Sequence, residues 1–96
     1  MSTFKLPDAA RVKFLVRLLD DLRNIKSQTP NFDMDNLKRL GHQLKGSAAT
    51  FGFALLGEIG AKLEDQVKAG NKSEIPQFIN ELESNATKFH SEFQTA

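Results

Sequence analysis

The run Lys38-Arg39-Leu40-Gly41-His42-Gln43-Leu44-Lys45-Gly46 holds the residues best suited to chemistry. An imidazole of ordinary pKa, near 6.5, keeps a free nitrogen lone pair at neutral pH and can act as a nucleophile. On a helix, positions three and four apart share a face, so His42 has Lys38 and Arg39 one turn before it and Lys45 and Gly46 one turn after it, with Ala49 continuing the row. Clustered cations repel one another, and a glycine inside a helix costs up to about 1 kcal/mol relative to alanine, so the segment works against its own helix. An anion added to His42 explains both features. The cations would bind its oxygens, and the missing side chain at Gly46 would leave room for it and for an approaching protein. The competing reading is a solvated histidine on a basic surface.

The other candidates carry less. His90 falls near the end of the last predicted helix, without a basic or glycine surround, and has a structural reading. No second ligand at metal spacing flanks either histidine, so no metal site is expected. Gly41, Gly57 and Gly60 suit close helix contacts. No glycine-rich loop precedes a Lys-Ser or Lys-Thr pair, so a nucleotide would belong to another protein. Phe53 follows Gly52 at a helix junction and is expected to be exposed near the docking face.

Four helices position these residues. Turn residues cluster at Ser27 to Pro30, around Gly52, and at Gly70 to Ser73. The first helix is predicted from about Pro7 to Lys26, with Val12, Leu15, Val16, Leu19 and Leu22 as its apolar stripe, widened by Phe14, Leu18 and Ile25. The second runs from about Asp33 to Phe51, with Met34, Leu37, Leu40, Leu44, Ala48 and Phe51 in steps of three and four. At roughly 100° per residue His42 lies about 150° from the centre of that stripe, facing solvent. The third, about Ala54 to Ala69, buries Leu55, Leu56, Ile59, Leu63 and Val67 and stops at Gly70. The fourth follows a Ser73 cap and turns Ile75, Phe78, Ile79, Leu82, Ala86, Phe89 and Phe93 inward. Short connections make neighbours antiparallel, so the expected fold is all-α, an antiparallel up-and-down four-helix bundle spanning 1–96 as one domain.

Composition bounds the partners. Of 96 residues, 40% are hydrophobic and 26% charged, as in globular chains. Thirteen Lys and Arg against twelve Asp and Glu leave a formal charge of +1, too small for a broad nucleic-acid footprint. The absence of cysteine fits a reducing cytoplasm, and no apolar run of membrane length or signal-peptide core is visible, so neither nucleic acid nor membrane is an expected partner.

The segment His42-Gln43-Leu44-Lys45-Gly46-Ser47-Ala48, followed by Gly52, Leu56, the pair Leu63-Glu64 and Gly70, resembles the signature of histidine-containing phosphotransfer (HPt) domains over about thirty residues. The resemblance implies that His42 is the phosphoacceptor, that Lys45 assists the phosphoryl group, that Gly46 gives it access, and that Glu64 lies near the histidine. From the residues alone Glu64 flanks the apolar face of its helix, where a solvated or ion-paired surface role is an equal alternative. Ala48, often a second serine in the family, and Gly60, often another small residue, depart from the common pattern away from the chemistry.

By the same resemblance the partners are a response-regulator receiver domain and a sensor or hybrid histidine kinase in a two-component phosphorelay. Lys38, Arg39, Ala49 and Phe53 would form the docking surface. The chain would be a monomeric phosphocarrier rather than an enzyme, binding no cofactor itself, with magnesium supplied in the partner receiver. A non-catalytic helical adaptor or dimerisation bundle, docking an acidic partner through the basic face of the second helix, is the alternative. A domain used only within a longer kinase is disfavoured by the start at Met1 and the lack of an ATP-binding motif.

Overall fold

The computed structural model describes residues 6–28 and 31–94, so the Met1 to Lys5 segment and the Thr29-Pro30 part of the first turn cluster lie outside the described residues. The described residues form four α-helices, α1 (Asp8–Lys26), α2 (Met34–Ser47), α3 (Ala54–Ala69) and α4 (Ile75–Gln94), and contain no strand. Pro7 stands just ahead of α1, where its lack of an N–H is harmless, and its carbonyl accepts from Ala10 and Arg11. Asp33 caps α2 by accepting from the Asn36 N–H at 3.2 Å.

Two elements end or begin differently from the sequence expectation. The second helix gives way at Ser47 to a 3₁₀ turn, Ala48–Phe51, a common tightening of a last turn. Gly52 then takes φ 89°, while the Phe53 N–H reaches back to the Ala48 carbonyl. Gly70 closes α3 in the same manner at φ 76°, with Asn71 donating to Gln66. This left-handed conformation is the one glycine adopts without a steric penalty. Ahead of α4, Ser73 sits inside a second 3₁₀ turn, Lys72–Glu74, rather than directly before the helix.

Leu15, Leu18, Leu22 and Ile25 of α1 meet Ile75, Ile79, Leu82 and Ala86 of α4 and the buried leucines of α2 and α3 in one core. The first helix is apolar on more than one side, so spacing alone fits two stripes, and packing against α4 selects one of them. Val16 and Leu55, both expected in the core, are 42% and 43% exposed, Leu55 because it falls at the solvent edge of α3. Packing is closest between α2 and α3. A Cβ at Gly41 would lie 2.6 Å from the Gly60 carbonyl, and one at Gly60 2.6 Å from the Leu44 Cβ, so these helices approach through their glycines. By contrast α1 and α2 meet little, and a groove of about 530 Å³ floored by Phe14, Leu18, Leu44 and Phe51 runs between them.

Phe53 departs most from the expectation. It is 2% exposed and packs with Phe14, Phe89 and Phe93 at one end of the bundle, with the Arg11 guanidinium over its ring at 5.1 Å. The turn at Gly52 rotates the chain so that the next side chain enters the core. Arg11 fixes the turn by donating from Nε to the Phe51 carbonyl at 2.8 Å.

Candidate functional site

The close glycine contact between α2 and α3 creates the site. Gly41 rests against the α3 backbone, where a Cβ would come 3.0 Å from the Glu64 nitrogen, so the Glu64 side chain emerges directly beneath the next residue of α2. That residue is His42. Its side chain is 73% exposed, while that of Glu64 is only 4% exposed, and Nδ1 of the ring stands 3.1 Å from Glu64 Oε2. An ionised carboxylate can only accept, so Nδ1 is the nitrogen that donates here, and Nε2 is the one left to carry the lone pair of the unprotonated ring.

Two lysines complete the cluster. Lys45, one turn beyond His42, places Nζ 3.7 Å from Glu64 Oε1, and Lys68, one turn beyond Glu64 on α3, places Nζ 3.6 Å from Oε2. Burial opposes ionisation of Glu64, but Lys68, the His42 ring with its hydrogen bond, and Lys45 together outweigh it and hold the carboxyl below its ordinary value of 4.5. Glu64 therefore stays charged at neutral pH. Its Oε1 has no hydrogen-bond partner and meets Lys45 only as an ion pair.

Gly46 faces open space, with nothing within 4 Å of where a Cβ would be. The ledge beyond His42 is therefore bare, and Gly46, Ser47 and His42 form the rim of the groove between α1 and α2. Of the residues expected at the docking surface, Lys38, Arg39 and Ala49 are exposed, and Arg39 is held by Asn36 at 2.7 Å. Phe53 is not part of that surface, because the turn at Gly52 buries it. Of the two alternatives for Glu64, a solvated surface role and a place near the histidine, the structure shows the second, with the side chain buried beneath the ring. Lys68 belongs to no motif of the His42 segment, and its one signal in the sequence is the spacing of a Glu followed four residues later by Lys. His90 is half-buried on α4.

A helical bundle presenting one exposed imidazole over a buried carboxylate, flanked by lysines and an unobstructed glycine, has the build of a module that accepts and passes on a small anionic group. Residues 10–92 match the Hpt domain family, nearly the whole chain, and the protein belongs to that family. Neither curated proteins nor solved structures provide a match. Membership assigns the chain to histidine phosphotransfer in two-component signalling, in which Hpt domains are phosphocarriers that meet kinases and receiver domains. No helix among the described residues is long and apolar enough to cross a membrane.

Proposed function

We propose that this protein carries a phosphoryl group on Nε2 of His42 between a sensor or hybrid kinase, or a receiver aspartate, and a second receiver aspartate. The observation that supports this most is the exposed ring whose Nδ1 is fixed by the buried Glu64 at 3.1 Å, leaving Nε2 accessible. In the step from a receiver, the Nε2 lone pair attacks the phosphorus of an aspartyl phosphate. The N–P bond forms, the P–O bond breaks, and the aspartate carboxylate leaves with the electron pair. The ring becomes a phosphoimidazolium whose Nδ1–H remains directed at Glu64, a charge that an adjacent carboxylate stabilises. Onward transfer reverses these bond changes on a different aspartate.

Lys45 meets the phosphoryl oxygens from the helix that carries His42, and Gly46 leaves the approach open. Magnesium held by the receiver would neutralise phosphoryl charge from the partner's side. Lys38, Arg39 and Ala49 would belong to the docking surface, and the chain would work as a monomer in the cytoplasm.

Incubation with a phosphorylated receiver tests the proposal. Label should pass to the wild type and return to a second receiver, and His42→Gln should take up none while still binding. An adaptor that used His42 only as surface would keep its full activity in His42→Gln, and that result would overturn the phosphocarrier reading.

A further inference from the structure

Glu64 gathers more positive charge than one histidine requires. Its buried carboxylate meets Nδ1 of His42 and Nζ of Lys68 on the same oxygen, and Nζ of Lys45 on the other. Both lysine side chains are more than half exposed, at 55% and 54%, so each is tethered at its tip and free along its stem. A lysine ammonium on a four-carbon stem can move several ångströms without any shift of its helix. Lys68 and the imidazole share an oxygen as neighbour, so the ammonium already stands within two such contacts of the ring.

Resting on the phosphocarrier reading, we propose that Lys68 is a second phosphoryl-binding cation, parked on Glu64 while His42 is bare and drawn to the phosphoryl oxygens once His42 is loaded. A phosphoryl group brings close to two negative charges in the open, whereas Glu64 offers one, so the stronger and better exposed anion recruits the lysine. The cationic cradle is then built from both helices, Lys45 from α2 and Lys68 from α3, each starting from a different oxygen of the Glu64 carboxylate. Glu64 keeps its bond to Nδ1 and stays compensated by the phosphoimidazolium.

The protein phosphorylated with phosphoramidate provides the test, with the ³¹P resonance of the phosphohistidine followed across pH. Loss of a cation beside the phosphoryl group makes its dianion harder to form, so Lys68→Ala should move the midpoint of that titration upward, by about half a pH unit. Lys68→Arg should restore it. Lys62→Ala removes an equal charge from an exposed position on the same helix and should leave the midpoint in place. An unchanged midpoint in Lys68→Ala, or an equal shift in Lys62→Ala, overturns the role of Lys68. A wild type that shows no phosphohistidine signal, or a signal that persists in His42→Gln, instead overturns the phosphocarrier reading on which the role depends. Melting curves of each variant separate the effect on the titration from any loss of folded protein.

Discussion

A buried carboxylate under an exposed imidazole does two things at once: it sets which ring nitrogen is free, and it binds the lysines that the phosphoryl group would otherwise find unoccupied. Because its carboxyl is held below 4.5 in the folded chain, ionised Glu64 stabilises the fold above about that pH, and the contribution is lost as pH falls through the lower folded value. Glu64→Gln should therefore flatten the decline of stability in acid, measured as urea midpoints between about pH 7 and 3. Identical pH profiles for variant and wild type would show that the carboxylate is uncompensated. Lys45→Ala should leave the fold intact, since the lysine is half exposed, but slow transfer roughly ten- to a hundredfold, or about 1.4 to 2.7 kcal/mol of transition-state stabilisation. Unchanged transfer rates would assign all charge compensation to the partner. His42, Lys45 and Gly46 were legible from the helical projection. Glu64 was only half legible, because no spacing rule within α3 reveals that α2 approaches through Gly41 and covers it.

Two glycines one and a half turns apart on α2 have opposite purposes. Gly41 is buried against α3, where a methyl group would come 2.6 Å from the Gly60 carbonyl, while Gly46 faces nothing. Gly41→Ala should force the helices apart and cost about 1–3 kcal/mol. Gly46→Ala should stabilise the protein by up to about 1 kcal/mol, because alanine is the better helix former. Gly46→Gln should fold yet obstruct transfer at the ledge beyond His42. Thermal melts beside transfer assays check the pair; destabilisation by Gly46→Ala, or full transfer by Gly46→Gln, would remove the access role. Helix number and approximate bounds were readable because turn residues punctuate the chain and the apolar steps of α2 and α4 are regular. The break at Ser47 was not, since Ala48 and Phe51 keep the helical spacing through the 3₁₀ turn. Nor was the buried side of α1, where Val16 fits the pattern as well as Leu18 does and only the neighbour α4 decides between them.

The bundle as a whole is closed at one end by aromatic rings and left open along the seam between α1 and α2. Phe53 shows why a junction residue is hard to place from sequence: the left-handed turn at Gly52 directs it inward, and the rings that receive it come from α1 and α4. Phe53→Ala should cost about 3–5 kcal/mol, as for other large buried aromatics, and a loss under about 1 kcal/mol in urea denaturation would contradict its burial. That closed end also carries the Arg11 bond to Phe51, which anchors the exit of the helix bearing His42. The groove along the open seam has His42 on its rim, so a protein settling there reaches the ring from solvent. The proposed carrier of the phosphoryl group is the exposed imidazole of α2. The most direct measurement is peptide mapping, under alkaline conditions, of the protein phosphorylated by a receiver. The label should be acid-labile, stable to base, and confined to the peptide containing His42; a label on the peptide containing His90, or an acid-stable one, would contradict the claim.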